Sequence, residues 1–173
     1  RPQMGSVRPN VFKKPDRIAD SWGRIQLEQF DLKPEDIRTK RLDFIPFSKS
    51  GYNIQEADII VAGGRGMGSK ENFDKLYELA DAIGGVVGAT RPLVEKGWIE
   101  LPYQVGQTGK IVSPKLYLAF GISGAIQHVS GISGADTIVA INNDPKAEIF
   151  QHANYGIVGD CMEVLNDMLA HLK

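Results

Sequence analysis

The chain has 173 residues, of which 20 are Lys or Arg and 21 are Asp or Glu, so its formal net charge at pH 7 is −1. This length suits one domain, whose core would bury roughly 70% of the surface of the unfolded chain. The balanced charge gives no basic excess for nucleic acid, and no apolar run approaches the roughly 18 residues that span a membrane. Cys161 is the only cysteine, which excludes an internal disulfide and a cysteine zinc site.

Residues 1–56 are rich in Arg, Lys, Asp and Pro and poor in glycine. Two segments of this region, Arg24 to Phe30 and Arg41 to Phe47, alternate apolar and polar residues, as half-buried strands do. We therefore expect a short β-rich segment ahead of the main domain. Strand edges that find no cover in this chain would pair with a neighbour, so Ile25, Leu27 and Leu42 should be poorly buried here.

From residue 57 onward, short apolar runs alternate with amphipathic segments. Phe73, Leu76, Ala80 and Ile83 recur at three- and four-residue spacing and predict a helix over residues 71–83. A last helix should begin near Asp160 and bury apolar residues up to Leu172. The apolar runs predict strands at residues 59–62, 86–88, 116–120, 137–141 and around 157–158. This alternation predicts an α/β fold, a Rossmann-like three-layer domain with a parallel sheet and helices on both faces.

The first glycine-rich turn, residues 63–70, lies between a strand and a helix, where α/β proteins bind phosphate. It nearly matches the P-loop, but Ser69 precedes Lys70, so the lysine is displaced and ATP hydrolysis by that mechanism is not expected. The second strand ends in residues 88–91, Gly-Ala-Thr-Arg, without the acidic residue that binds the ribose of NAD. Both departures disfavour ordinary ATP and NAD binders.

The stretch from Leu116 to Asn142 contains two predicted strands joined through glycine-serine turns. Its pattern Leu-Tyr-Leu-Ala-x-Gly-Ile-Ser-Gly-Ala-Ile-Gln-His, followed by Gly131 and Ile-Val-Ala-Ile-Asn, resembles the signature of the electron transfer flavoprotein alpha subunit. Gly-Gly-Arg-Gly at residues 63–66 and Val-Gly-Gln-Thr-Gly-Lys at residues 105–110 resemble two further motifs of that family. The resemblance covers residues 57–172 almost continuously.

The resemblance implies a noncovalently bound FAD at the carboxyl ends of the strands. It places Arg65 against the isoalloxazine ring, where a cation stabilises the negative charge that develops on reduction. It places the Thr90 hydroxyl near the reactive flavin nitrogen and His128 near the pyrimidine carbonyl, as a hydrogen-bond donor. Asp160 equally fits a plain helix cap. The complete set of implied FAD-binding residues is Arg65, Thr90, Arg91, Gly106, Gln107, Thr108, Ser123, Gly124, Ala125, Ile126, Gln127, His128, Asn142, Asp160 and Cys161.

The resemblance also implies a role. Members of that family carry electrons from flavin dehydrogenases, such as acyl-CoA dehydrogenases, to a downstream acceptor, in a heterodimer with a beta subunit. We therefore expect an electron carrier with no substrate chemistry of its own, no nucleic-acid partner and no membrane insertion. We expect it in the bacterial cytoplasm or the mitochondrial matrix, with the cytoplasm favoured.

The domain organisation follows from the same comparison of motifs. Residues 57–173 would be the FAD-binding domain, and residues 1–56 the remnant of an amino-terminal domain or a linking arm. Because the chain starts at Arg1 rather than methionine, we expect a truncated or cleaved chain. Two other functions stay open: a nucleotide-binding module without a redox role, and an NAD(P)-dependent oxidoreductase in which Arg91 binds a 2′-phosphate.

Overall fold

The computed structural model describes residues 3–6, 16–19, 22–43 and 53–172. Its centre is one sheet of five parallel strands in the order β2-β1-β3-β4-β5. The strands are β1 (Ile59–Gly63), β2 (Val86–Ala89), β3 (Leu116–Phe120), β4 (Thr137–Asn142) and β5 (Tyr155–Val158). The α-helices are α1 (Lys70–Ile83), α2 (Arg91–Glu95), α3 (Ile126–Val129) and α4 (Cys161–His171). The short 3-10 helices of the described residues are Pro34–Asp36, Ile54–Glu56, Arg65–Met67, Leu101–Tyr103 and Glu148–Gln151.

The predicted α/β class with a parallel sheet is confirmed, and the strands fall where the apolar runs predict them. β1 and β3 lie in the middle of the sheet, where Ile60 pairs with Tyr117 and Val61 with Leu118. These strands read as continuous apolar runs because both of their faces are covered. No helix in the described part of the chain is long and apolar enough to cross a membrane.

The two faces of the sheet are covered in different ways. α1 and α4 cover one face, where Phe73 and Leu76 share a buried cluster with Leu165. Loops, 3-10 helices and the single turn of α3 cover the other face, which includes the buried side chains of Ile54 and Ile149. Helices therefore cover both faces as predicted, but those on the second face are only short turns. Glycines and prolines recur through residues 92–114, and they prevent a long crossover helix there.

The long helices begin and end at the predicted signals. Ser69 accepts a hydrogen bond from the backbone amide of Asn72 at 3.2 Å and starts α1, and Gly84 ends that helix in the left-handed region. Asp160 caps α4 through the amides of Met162 and Glu163. The expectation that Leu172 points into the core is wrong: it follows the last turn of α4 and is 49% exposed.

The segment ahead of the domain is not a strand where the structure describes it. Residues 22–43 contain only one 3-10 turn, so the strand expected over Arg24 to Phe30 is wrong for this chain. Lone strands are unstable because their backbone groups need a partner strand. Ile25, Leu27 and Leu42 are each at least 88% exposed, which confirms the expected poor burial. Most of the second predicted strand, Arg41 to Phe47, lies outside the described residues.

The strand order creates a crevice at one edge of the sheet. The chain passes from β1 to β2 on one side and then crosses back to β3 on the other side of β1. The loops that follow β1 and β3 therefore lead away in opposite directions. Open α/β sheets bind ligands at such a switch point, outside the carboxyl ends of the strands.

Candidate functional site

A cavity of about 820 Å³ lies at the carboxyl ends of β1, β2, β3 and β4. This volume falls within the roughly 300–1,000 Å³ of ligand pockets. The cavity brings together ten of the residues that the sequence assigns to a cofactor. These are Arg65, Thr90, Arg91, Gly106, Thr108, Ser123, Ala125, Gln127, His128 and Asn142. Arg65 and His128, which come from distant parts of the chain, lie at the same edge of the sheet, as the sequence predicts.

The turn after β1 contacts the turn after β3, and this contact forms the floor of the cavity. The Gly66 amide donates to the Gly121 carbonyl at 2.9 Å, and the Gly64 amide donates to the Phe120 carbonyl at 2.8 Å. A Cβ atom on Gly66 would lie 2.6 Å from the Cα of Gly121. Gly121 itself has a φ of 60°. The two backbones can meet only because neither position carries a side chain.

The turn after β3 presents backbone donors to the cavity. Within residues 53–172, the amides of Ser123, Gly124 and Ala125 donate to no protein acceptor. The turn is anchored from behind, because the Ile149 amide donates to the Ser123 carbonyl at 3.0 Å. Gly124 has a φ of 93°, and a Cβ there would overlap the backbone of Ile149. Consecutive amides without partners are suited to bind an anion such as a phosphate.

The loop of residues 104–110 forms a second wall of the cavity. The Gln107 amide donates to the Gln127 carbonyl at 2.7 Å, and this hydrogen bond joins the loop to α3. Gln104 is buried, and its side chain donates to the Thr108 hydroxyl at 3.0 Å. Thr90 is largely buried and lines the cavity, and its hydroxyl has no protein partner among the described residues. Both hydroxyl groups can therefore bond to a bound molecule.

His128 lines the cavity with both ring nitrogens already bonded. Nδ1 lies 3.1 Å from the Val105 carbonyl and Nε2 lies 3.0 Å from the Tyr117 hydroxyl. Burial lowers the pKa of His128 to about 4, against the opposing effect of the Val105 carbonyl. The ring is therefore neutral at pH 7 and holds a single N–H. Since the Val105 carbonyl can only accept, that proton lies on Nδ1. The contact between His128 and a flavin carbonyl stays a prediction.

Two arginines bring positive charge to the cavity. Arg91 pairs with Glu95 one helical turn later, at 2.7 Å between Nε and Oε1. Arg65 is exposed and makes no ion pair within the described part of the chain. Glu95 also lines the cavity, and sequence reasoning missed it. Its spacing of four residues from Arg91 on a predicted helix is the signal that could have found it.

The remaining predicted residues do not line the cavity. Gln107 and Gly124 lie in loops beside the cavity, and Ile126 is the exposed first residue of α3. Asp160 caps α4, and its side-chain contacts are those of a plain helix cap. Cys161 is buried against β4, with Sγ 3.5 Å from the Ile141 carbonyl, and burial raises the pKa of this thiol. Asn142 lines the cavity but bonds through its side chain to Ile122 and Asp144.

These features define an α/β domain with a cavity at its topological switch point, where unpartnered backbone amides are suited to an anion. Comparison with known families makes the class specific. Residues 53–133 match the family model for the "Electron transfer flavoprotein FAD-binding domain". The resemblance stated from the sequence is thereby confirmed: the chain carries the FAD-binding domain of the electron transfer flavoprotein alpha subunit family.

Curated relatives match over the whole chain. An electron transfer flavoprotein subunit alpha of Thermoanaerobacterium thermosaccharolyticum is 51% identical over 173 residues, which are 100% of this chain and 52% of the relative. A protein FixB of Clostridium saccharobutylicum is 53% identical over 175 residues, with 100% of this chain and 52% of the relative covered. A subunit alpha of Megasphaera elsdenii is 51% identical, with 95% and 49% covered. The chain thus spans about half the length of the curated relatives it matches.

The anchored turn after β3 should not tolerate a side chain at Gly124. Gly124→Ala combines an unfavourable left-handed backbone with overlap at Ile149, and we expect the free energy of unfolding to fall by about 2–5 kcal/mol. The matched control is Gly97→Ala, where φ is 72° and a Cβ would meet open space, so only about 1–2 kcal/mol should be lost. Urea unfolding measures both variants. Equal losses would contradict this account of the turn.

Burial of the neutral His128 ring should make stability depend on pH. Its pKa rises from about 4 in the fold to the ordinary 6.5 on unfolding, so between these values the unfolded chain binds the extra proton. The free energy of unfolding should therefore fall as the pH drops from about 6.5 toward 4. At pH 5 this loss amounts to roughly 1–2 kcal/mol. Unfolding free energies at pH 7 and pH 5 measure this contribution in FAD-free protein. His128→Gln should flatten the slope, and the exposed His152→Gln should leave it unchanged; a wild-type slope in His128→Gln would disprove the assignment.

Proposed function

We propose that this chain binds FAD in the cavity at the carboxyl ends of β1 to β4, as the part of an electron carrier that holds the redox group. The observation that carries the proposal is the set of unpartnered amides at Ser123, Gly124 and Ala125 beside a cavity of about 820 Å³. A dinucleotide places a pyrophosphate next to its ring systems, and these amides supply the donors that such an anion needs. The match to an FAD-binding family model supports the same ligand.

The lining residues divide the binding of FAD among them. The amides of residues 123–125 would hold the pyrophosphate, and the hydroxyl groups of Thr90 and Thr108 would bond to the ring system. FAD, when bound, accepts and releases electrons. The positive charge of Arg65 would stabilise the negative charge gained on reduction, because Glu95, the carboxylate that lines the cavity, pairs with Arg91 and not with Arg65.

The ionisable side chains of the cavity favour a carrier over an enzyme. They are Arg65, Arg91, Glu95 and His128. Glu95 is held in an ion pair with Arg91, and His128 is neutral with both nitrogens bonded. General acid–base catalysis needs a group that can exchange a proton with a substrate near the working pH. This arrangement offers none, which supports electron transfer without substrate chemistry.

The activity of the whole protein is proposed from its relatives. Two of them are named as alpha subunits, which supports a heterodimer with a beta subunit. As donors we propose flavin dehydrogenases of the acyl-CoA dehydrogenase type, and as location the bacterial cytoplasm, in keeping with the bacterial relatives. The alternative of an NADP-dependent oxidoreductase requires Arg91 to bind a 2′-phosphate. The carboxylate of Glu95, 2.7 Å from that guanidinium, would repel the phosphate.

Identification of the bound cofactor tests the proposal directly. The protein is purified intact with its associated subunits, and the cofactor is released by heat and identified by mass spectrometry. We expect FAD in a molar ratio near one per cavity, and reversible bleaching of the flavin absorbance on reduction. A nicotinamide nucleotide, or a colourless protein that binds only unmodified nucleotides, would overturn the electron-carrier function. Gly124→Ala should retain less FAD than Gly97→Ala, because it displaces the phosphate-binding amides.

The charge on Arg65 should raise the reduction potential of the flavin. A unit charge at about 4 Å is worth roughly 1–4 kcal/mol between the dielectric limits of water and a protein surface. Arg65→Gln should therefore lower the two-electron potential by roughly 20–90 mV. Lys70→Gln is the control, since Lys70 pairs with Asp74 outside the cavity, and it should leave the potential unchanged. Spectroelectrochemical titration measures both, and an unchanged potential in Arg65→Gln would remove Arg65 from this role.

A further inference from the structure

Gln104 is a buried polar residue that lies next to the cavity without lining it. It directly precedes Val105 and Gly106, which line the cavity, and only 4% of its surface is exposed. Its side-chain nitrogen Nε2 lies 3.0 Å from the hydroxyl oxygen of Thr108, which also lines the cavity. A buried amide is costly unless it forms hydrogen bonds, so the fold favours this contact. Gln104 therefore reaches the cavity through the Thr108 hydroxyl.

The backbone of Gln104 is fixed at the edge of the sheet. It forms a parallel bridge with Ala89, the last residue of β2. Its amide donates to the Leu101 carbonyl at 3.0 Å, and its carbonyl accepts from the Lys110 amide at 2.7 Å. A Cβ atom on Gly109 would overlap the Gln104 carbonyl, so the loop closes tightly around this residue. The side chain of Gln104 therefore starts from a backbone that is tied to β2.

The chemistry of the amide group sets the direction of the hydrogen bond to Thr108. Nε2 of Gln104 carries two protons and can only donate, so the hydroxyl oxygen of Thr108 accepts. The hydroxyl keeps one proton of its own, and within residues 53–172 no protein acceptor takes it. Thr108 is exposed at the cavity. Its O–H group is therefore left to donate to a molecule in the cavity.

We propose that Gln104 is a positioning residue for the cofactor, which acts by holding the Thr108 hydroxyl as a hydrogen-bond donor to the flavin ring. This inference rests on the proposed binding of FAD in the cavity. It goes further, because it assigns the orientation of a cavity hydroxyl to a residue that does not line the cavity. A hydroxyl that is oriented before the ligand arrives loses less freedom on binding, so the ligand is bound more tightly.

The same contact makes the Thr108 hydroxyl a stronger donor. Hydrogen bonds in a chain polarise one another, so an oxygen that accepts a proton from Gln104 gives up its own proton more readily. Without the amide, the hydroxyl would be free to turn away from the ligand, and it would donate more weakly. Gln104 should therefore affect both the affinity for FAD and the electronic environment of the flavin atom that accepts from Thr108.

A double-mutant cycle between Gln104→Met and Thr108→Val tests the proposal in the intact protein with its associated subunits. Methionine keeps the length of glutamine and valine keeps the shape of threonine, so each change removes mainly the polar group. The Kd is measured by fluorescence titration of FAD-depleted protein with FAD. Gln104→Met should raise the Kd roughly 2–10-fold, the value of one uncharged hydrogen bond. In the Thr108→Val background it should change the Kd less than about twofold, because the group through which it acts is absent.

Gln55→Met is the matched control. It also removes a side-chain amide that donates a hydrogen bond, but Nε2 of Gln55 bonds to the Ile111 carbonyl at 3.3 Å, and neither residue lines the cavity. Its effect on the Kd should stay below about twofold in either background. NMR of FAD labelled with 13C and 15N gives a second measurement. Thr108→Val and Gln104→Met should shift the signals of the same flavin atoms, and Gln55→Met should leave them unchanged.

Equal losses of FAD affinity from Gln104→Met in both backgrounds would overturn the proposal, because Gln104 would then only support the loop. Flavin signals that Thr108→Val shifts and Gln104→Met does not would also overturn it. If Gln104→Met does not fold, the side-chain amide of Gln104 decides: Thr108→Val should shift its NMR signals in FAD-free protein, and unchanged signals would overturn the proposal. Wild-type protein that binds no FAD would remove the proposed function itself, whereas FAD binding with additive losses would remove only the role of Gln104.

Discussion

The close contact between the glycine turns after β1 and β3 is the constraint on which the site depends. Gly66 and Gly121 bring two backbones into direct hydrogen-bonding contact at the switch point of the sheet. This contact closes the floor of the crevice and sets the direction in which the chain leaves β3. Ser123 and Ala125, whose amides have no protein acceptor among residues 53–172, then line the cavity. A single β-carbon at either glycine would separate the two turns and displace the turn of residues 123–125.

The site can be viewed as three loops held against one another by backbone bonds. The loop of residues 104–110 bonds to α3 through Gln107, and the turn at Ser123 bonds to the 3-10 helix at Ile149. The polar side chains that line the cavity carry three hydroxyls, two guanidinium groups, one carboxylate, two amides and one neutral imidazole. Binding surfaces built from backbone donors recognise the shape and charge of a ligand more than its individual substituents. Such a surface suits the dinucleotide proposed for this cavity.

Much of the fold could be predicted from the sequence because its signals are local. Apolar runs, caps and glycine stops located β1 to β5, α1 and α4, and the motifs located most of the cavity. What could not be predicted depended on distant contacts. The pairing of both nitrogens of His128 needs Val105 and Tyr117, which are 23 and 11 residues away along the chain. The segment around Ile25 alternates like a strand, but alternation cannot reveal whether a partner strand exists.

The unequal cover of the two sheet faces has a consequence for the order in which parts of the protein open. The face with α1 and α4 is a packed layer of long helices, whereas the opposite face is made of loops and single turns. Local unfolding begins where long elements are few, so the loop face opens at a lower free energy than the helical face. Part of the cavity wall, the loop of residues 104–110 and the turn after β3, belongs to that loop face. A ligand that contacts several of these loops would therefore raise the free energy needed to open them.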